Sequence, residues 1–546
     1  METVDIYFTW AVRGHHACFL IGVILLVLLG GAEAGVESVD NSDLAHLDVG
    51  LTDFLRYKAD RARCGSDEPC TLPPEGKCWG YEKNCAETKQ LSMPECTGSP
   101  APHASTMEGK IQKFHEQAGF AYAKQFSSSM ETVCESQSDG DSSLTCSKDL
   151  AHCRATNLYI DFREADFKKR PEERLATARL RPDFIGKKML GGKCRLTKSK
   201  LGQPKYSSHL QSWWAELHNF HVMDEQTNTK NKHCDVVVQT PVIFMKMDAK
   251  VNLYHHFCDF VNLYVSQHIN GSFSRDVQII DWDTSDYPNN DLFEQTWDAF
   301  TKRKVKRLTD YGGKRVCFNE VLFPLLPRMV FGLFYNMPVV PDCSGSSLME
   351  SFSHFLLNRL AVQRWHTKTE LEARRVRVTF LSRGTRYRNV LNEEEILGTL
   401  KTVGRFSVRR VRYDRDMTFR EQIESSHNSD ILIGMHGAGL THMLFLPEWA
   451  GVFEIYNTED PNCYKDLAAI RGLYYQTWEK KKLLFPQDGG HHKVDSAKPK
   501  FTDYRFDAKE FLRLVEKLAD RVQQKRDKLR PKAKQPPPPD AIKTEL

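Results

Sequence analysis

Residues 431–456 read ILIGMHGAGLTHMLFLPEWAGVFEIY, and the groups able to do chemistry sit in the middle of that run. A glycine-rich turn, Gly434-Met435-His436-Gly437-Ala438-Gly439, separates the apolar run 431–433 from a stretch of helical spacing, 440–446. Such a turn between strand and helix lets backbone N–H groups approach a diphosphate at the positive end of the helix dipole. His436 can add a donor to the same phosphate. Glu454, in the strand-like run after the helix, can accept from ribose hydroxyls, as acidic residues do in dinucleotide folds. The spacing is neither GxGxxG nor a P-loop, so it does not point to NAD or ATP. The same residues would also serve a tight turn around a buried histidine.

Two further sets have chemically useful spacings. His255 and Asp259 stand four apart in NLYHHFCDFVNLY, so on a helix they share a face and the carboxylate can orient the imidazole and stabilise its charged form. A satisfied structural hydrogen bond is the plainer use of that histidine. Asp281-Trp282-Asp283 has the form DxD, which can coordinate a divalent ion bridging a nucleotide-sugar diphosphate. Hydrogen bonding to a sugar or acceptor is one alternative, and a strand-end turn with Trp282 in the core is another. A metal is left open, with Asp281 and Asp283 as its candidate ligands.

These groups need a scaffold, and the pattern after Cys234 supplies one. Apolar, β-branched runs at 236–238, 242–245, 277–280, 376–381, 407–411 and 431–433 alternate with helical spacings at 252–269, 291–300, 350–360, 393–400 and 419–425. Repeated alternation of this kind predicts α/β architecture with parallel sheets and helices on both faces. Two blocks, 236–345 and 346–500, are expected to form two Rossmann-like lobes with a cleft between them. Ligands of such sheets bind at the carboxyl ends of strands, where Ser382-Arg383, the 434–439 turn, Asp281 and Asp283 all fall. A last amphipathic helix in 501–529, with Phe511, Val515, Leu518 and Val522 on one face, is expected to pack across both lobes.

Ahead of the lobes, residues 35–235 form a poorly patterned, cysteine-containing region, with a Ser-rich, loop-like stretch at 127–143. Trp213 and Trp214 are expected in the core, since large aromatics supply buried area. Residues 1–34 read as a cleaved signal peptide: a short apolar run from Ala17 to Leu29, then Ala32-Glu33-Ala34. A signal anchor is the alternative. Residues 530–546 form a flexible Lys/Pro tail ending in Lys543-Thr544-Glu545-Leu546, one substitution from KDEL. The two ends predict a protein of the endoplasmic reticulum lumen, with a KDEL-type retrieval receptor as partner and no membrane span after cleavage.

The cysteines agree with that compartment. Of 15, all but Cys18 outlast the signal peptide, leaving an even number suited to disulfides. Cys64, Cys70, Cys78, Cys85 and Cys96 cluster without a CxxC pair, which favours disulfides over zinc. Asn270-Gly271-Ser272 is an N-glycosylation sequon and should lie at the surface if used. A net charge of only +5 excludes a chain-wide nucleic-acid footprint, and the basic stretches 302–307 and 405–415 read as solvated faces or phosphate contacts.

HGAGLTHMLFLP (436–447), VFEIYN (452–457), FLSRGTRYRN (380–389) and PRMVFGLFYN (327–336) resemble the motifs of family 61 glycosyltransferases. KCWGYE (77–82), the NLYHHFCDFVNLY helix, Trp282-Asp283-Thr284 and the tail are similar to those members of the family that act on EGF repeats. The resemblance implies a two-lobed, GT-B-like, inverting enzyme. It would move N-acetylglucosamine from UDP-GlcNAc to Ser or Thr hydroxyls of folded EGF-like domains in extracellular proteins such as Notch receptors. UDP departs carrying negative charge, from a transition state with oxocarbenium character as in glycoside hydrolysis. Arg383, Arg386, His436 and the backbone of Gly437-Ala438-Gly439 would then face the diphosphate, and Glu454 the ribose. His255, backed by Asp259, is the candidate base for the acceptor hydroxyl. The resemblance marks Asp281-Trp282-Asp283 as needed for full activity, with Mn2+ a possible cofactor beside the UDP-GlcNAc donor. The competing readings are a sister activity of the same family on glycans and a non-catalytic, lectin-like lumenal binding protein.

Overall fold

Strands β1 (Glu131–Glu135), β2 (Ser143–Cys146), β3 (Cys153–Asp161) and β4 (Arg195–Leu196) arise in the stretch expected to lack pattern. Their pairings are antiparallel. Alternation is present at the start of β3, where Cys153 and Ala155 are buried and Arg154 and Thr156 are exposed. Next along the chain come β5 (Val236–Val238), β6 (Val242–Met247), β7 (Gln278–Asp283), β8 (Lys306–Arg307) and β9 (Arg315–Phe323). All nine belong to one eleven-stranded mixed sheet, ordered β8-β7-β6-β9-β3-β2-β1-β4, with β5 beside β9. β6, β7 and β8 run parallel, β9 runs parallel to β6, and β3 lies antiparallel along β9 from Arg315 to Phe323. Block 236–345 therefore shares its sheet with the N-terminal region. The structure, a computed structural model, describes residues 77–529 except 93, 166–185, 187, 228–232, 285–290, 331, 335–339, 363–373, 415, 456–460 and 488–500. The signal-like segment, Cys64, Cys70 and the KTEL tail lie outside those residues.

The second sheet consists of β10 (Val376–Leu381), β11 (Phe406–Val411), β12 (Ile431–Met435), β13 (Gly451–Ile455) and β14 (Tyr474–Thr477). It is wholly parallel and ordered β11-β10-β12-β13-β14. Numbered from its own first strand the order is 2-1-3-4-5, one of the two common doubly wound orders, whose switch point lies between β10 and β12.

The helices are α1 (Met107–Ala118), α2 (Phe120–Ser128), α3 (Leu253–Asn270), α4 (Ser347–Arg359), α5 (Glu393–Lys401), α6 (Phe419–His427), α7 (Cys463–Ile470) and α8 (Ala508–Leu529). Asn252 caps α3 by accepting from the Tyr254 N–H at 3.1 Å, and Gly271, in the left-handed region at φ 67°, ends it. α3 is buried on most sides, with His256, Asp259, Asn262, Ser266 and Gln267 buried beside its apolar residues, and Phe257 meets Phe352, Phe419 and Phe445 at ring-centroid distances of 6.3, 5.8 and 5.6 Å. A single hydrophobic cluster runs from Trp79 to Leu473 through it.

Two expectations are corrected. The Ser-rich stretch is no loose loop: it holds the end of α2, all of β1 and a turn in which Asp141 accepts from the N–H groups of Gln137 and Ser138 at 3.3 and 3.0 Å. Short polar side chains there satisfy a tight turn. The last helix does not bridge two lobes. Phe511, Val515, Leu518 and Val522 of α8 pack with Val376, Phe380, Ile431 and Phe453 on one face of the second sheet. The Cβ position of Gly451 lies 2.7 Å from Leu518, so β13 and α8 approach as closely as glycine allows.

Among the described residues five disulfides form: Cys78–Cys85, Cys96–Cys343, Cys134–Cys194, Cys146–Cys153 and Cys234–Cys317. Cys258 and Cys463 are not disulfide-bonded. Trp213 is fully buried and donates to the Pro324 carbonyl at 2.7 Å. Asn270 ends α3, half-buried. Among the described residues no helix is long and apolar enough to cross a membrane.

Candidate functional site

At the switch point of the second sheet, Arg383 comes just after β10 and His436 just after β12. Arg388, in the left-handed region at φ 62°, donates from Nη1 to the His436 carbonyl at 3.1 Å. The Cβ position of Gly437 lies 2.7 Å from Arg383 Nη1 and 3.5 Å from Arg388 Nη1, so glycine is what lets both guanidiniums close on the turn. Burial, and then repulsion from Arg388, push Arg383 down to about 10. Burial lowers Arg388 too. Neither makes an ion pair with a described carboxylate. Arg388 Nε is buried without a hydrogen bond, while Arg383 Nε donates to the Thr385 hydroxyl at 3.2 Å. Asp503 acts on Arg383 only at a distance and is outweighed, so two adjacent, half-buried cations without an ion-paired carboxylate form an anion site.

Beside them, His436 Nδ1 meets Glu454 Oε1 at 2.5 Å, and the Tyr475 hydroxyl donates to Glu454 Oε2 at 2.5 Å. Glu454 is only 1% exposed. Both its oxygens are engaged within the protein, so it orients His436 and is not presented to a ribose as expected. Arg386 is also displaced from its expected place: it is exposed and stacks 5.7 Å from the Tyr387 ring centroid, while Arg388 takes the inward position. The 434–439 turn leads into a 3-10 helix, Ala438–Phe445, and not an α-helix. The Cβ position of Gly439 lies 2.7 Å from Leu381, so this glycine serves strand–helix packing.

The first sheet presents a second group at the carboxyl ends of β6 and β7. His255 Nδ1 meets Asp248 Oδ2 at 2.9 Å, and Arg328 binds both oxygens of Asp248 at 2.9 Å. Burial opposes ionisation of Asp248, but these two partners outweigh it and hold the carboxyl below its ordinary value. Asp259, the expected partner of His255, instead meets His256 Nδ1 at 3.1 Å. The i,i+4 pair fails because His255 turns toward the strand end, while Asp259 faces the core and is 1% exposed. His256 Nε2 meets Asp291 at 3.2 Å; burial disfavours its charge, yet the two carboxylates push it up to about 9.

Asp281 and Asp283 are the last outward-facing residues of β7, and both reach the Lys250 ammonium, at 2.6 and 3.2 Å. Trp282 points to the other face, as strand alternation requires. It lies 6.0 Å from the Trp213 ring with Lys246 Nζ 5.0 Å from its centroid, a core position rather than a catalytic one. Between the two groups stand Tyr254 and Tyr464, their centroids 5.8 Å apart, with Tyr464 5.1 Å from His436. The structure thus brings Arg383, His436 and Gly437 together on one side and His255, Asp281 and Asp283 on the other. Arg388, Asp248, Arg328, Lys250 and Tyr475 were not expected. Arg388 and Arg328 left a trace in the sequence, as the third arginine of SRGTRYRN and the arginine of PRMVFGLFYN.

Comparison with known proteins gives this geometry a context. The model of the family described as Glycosyltransferase 61 matches residues 253–453, which include His255, Asp281, Asp283, Arg328, Arg383, Arg388 and His436 but not Asp248, Lys250 or Glu454. The chain is 49% identical over 449 residues to a Gallus gallus protein named EGF domain-specific O-linked N-acetylglucosamine transferase, covering 82% of each chain. Proteins of the same name are similar from Mus musculus (47% identical, 84% of this chain and 86% of the relative) and from Drosophila melanogaster (45%, 86% and 89%).

Proposed function

Because this chain belongs to glycosyltransferase family 61, beside its EGF domain-specific O-linked N-acetylglucosamine transferases, we propose that it moves N-acetylglucosamine from UDP-GlcNAc to Ser or Thr hydroxyls of folded EGF-like domains, Notch receptors among them. The observation that carries the donor half is the half-buried Arg383–Arg388 pair closing on the Gly437 turn at the switch point, which suits a departing diphosphate. His436, held by Glu454, lies beside the pair. In this reading the two sheets act as GT-B-like lobes whose strand ends face the same reacting centre.

The transfer inverts the anomeric carbon. The acceptor oxygen forms its bond to C1 as the bond from C1 to the phosphate oxygen breaks, and UDP leaves with the bonding pair. The acceptor proton passes to His255 Nε2, since Nδ1 is committed to Asp248. Asp248 sets the tautomer and stabilises the imidazolium, while Arg328 keeps Asp248 ionised. The reaction is read as lumenal: five disulfides among the described residues suit an oxidising compartment, and the signal-like start and KTEL tail suit entry and retrieval by a KDEL-type receptor.

The test is secreted protein lacking residues 1–34 and the last four, incubated with UDP-GlcNAc and a folded EGF repeat, with the acceptor mass as readout. A gain of one N-acetylhexosamine, lost when the acceptor's disulfides are reduced, is expected. No gain while UDP-GlcNAc still raises the melting temperature would turn the reading to another acceptor or to a binding protein.

A further inference from the structure

The DxD triplet has carboxylates of the right kind and spacing for a divalent ion, yet the structure puts a different cation there. Lys250, only 3% exposed, places Nζ 2.6 Å from Asp281 Oδ2 and 3.2 Å from Asp283 Oδ2. Burial pulls Lys250 down, but the two carboxylates outweigh it and hold the ammonium charged. Asp281 Oδ1 and Asp283 Oδ2 are buried without a hydrogen bond, the latter ion-paired to that ammonium. A metal bound there would still stand a few ångströms from Lys250 Nζ in poorly screened surroundings, where like charges repel strongly. The residues present do not fit a metal ion.

What the triplet holds instead is a loop. Residues 248–252 connect β6 to α3, and Lys250 is their midpoint. Two residues before it, Asp248 binds His255 and Arg328; two residues after it, Asn252 caps the helix whose first turn carries His255. The loop is thereby fixed at three points: Asp248 on Arg328, Lys250 on β7, and Asn252 on α3.

We propose that Lys250, Asp281 and Asp283 form a metal-free clamp that fixes the β6–α3 loop and so aims His255. The three are positioning residues: the clamp's part in turnover rests on the glycosyl-transfer reading, whereas its geometry does not. Positioning at one remove matters because a misplacement of about 1 Å can cost on the order of 10²-fold in rate.

The first measurement is Mn2+ titration of metal-stripped wild-type enzyme, read by electron paramagnetic resonance of free Mn2+. No stoichiometric uptake is expected, and turnover should survive EDTA. Lys250→Met should lose about 10²-fold in kcat with KM for UDP-GlcNAc changed less than about twofold, and Lys250→Arg should recover part of the loss. Hydrogen exchange in 248–252 should quicken in Lys250→Met. One Mn2+ bound per wild-type chain and lost in Asp283→Asn would overturn the clamp, as would a folded Lys250→Met with wild-type kcat. If Lys250→Met does not fold, Asp283→Asn, which removes the longer contact, is read the same way. If wild-type enzyme transfers nothing from UDP-GlcNAc, the transfer reading fails, and the Mn2+ titration and hydrogen exchange still judge the clamp.

Discussion

Arg383, Arg386 and Arg388 lie within six residues, and only their surroundings tell them apart. Arg383 and Arg388 are half-buried and close together, without an ion pair to a described carboxylate; Arg386 lies in solvent on Tyr387. A hydrogen bond to a charged group contributes about 1.5–3 kcal/mol, so Arg383→Ala or Arg388→Ala should raise KM for UDP-GlcNAc by roughly 10- to 100-fold. Arg386→Ala should stay within about fivefold of wild type, since an exposed charge contributes under about 1 kcal/mol. Steady-state kinetics with varied donor checks both. His255→Ala should lower kcat by about 10²- to 10⁴-fold, the range for general base catalysis, with the melting temperature little changed. A folded His255→Ala at wild-type kcat would remove it from the mechanism.

At the scale of elements, three histidines are held as neutral groups: His152 buried just before β3, His268 half-buried near the end of α3 with its Nε2 shielded from water, and His442 buried in the 3-10 helix after β12. Burial pushes them down to about 3, 3 and 4, with a backbone hydrogen bond to Gly439 only partly opposing it at His442. An unfolded histidine titrates near 6.5, so between that value and the folded ones the unfolded chain binds more protons. The stability these sites support is complete above about pH 6.5 and falls as pH drops toward 4. His256 has the opposite sign. Its folded value near 9 stabilises below 6.5, and that contribution is lost as pH rises through 9. Burial holds Asp259 and Glu350 up at about 7, so these two gain stability from pH 7 to pH 5; the three histidines outnumber them, and urea midpoints should fall over that range. His152→Leu should flatten that fall, since both His152 ring nitrogens lack hydrogen-bond partners and no interaction is lost with them. An unchanged slope in that variant would show that His152 is not a source of the acid lability.

For the whole molecule, the N-terminal region is structurally inseparable from the two sheets' α/β core. It supplies antiparallel strands to the first sheet and pairs Glu95–Cys96 with Cys343–Ser344 just ahead of α4. Cys96–Cys343 closes 247 residues of chain. Loop-closure entropy assigns such a long loop about 5 kcal/mol, which strain and residual unfolded structure reduce. Cys96→Ser paired with Cys343→Ser should thus lower the unfolding free energy by about 2–5 kcal/mol, more than removal of Cys146–Cys153, whose loop is only 7 residues. Denaturant unfolding of the two double variants orders them; equal losses would locate the effect in local packing instead of chain entropy.

Local periodicity alone determined most of the second sheet, because parallel strands buried on both faces read as apolar runs and their helices as 3.6-residue repeats. The positions of β10 and α3, the switch-point turn and the inward apolar face of α8 were all legible in this way. The N-terminal strands were not, because a short strand such as Arg195–Leu196 carries too few residues for a period. Which charges pair was decided only by the tertiary structure. Side-chain spacing along one helix offered Asp259 to His255, but the strand end 242–247 delivers Asp248 from another element, and Lys250 reaches β7 across 31 residues of chain. Ion pairs depend on three-dimensional proximity and desolvation, and neither is written in the spacing of a single segment.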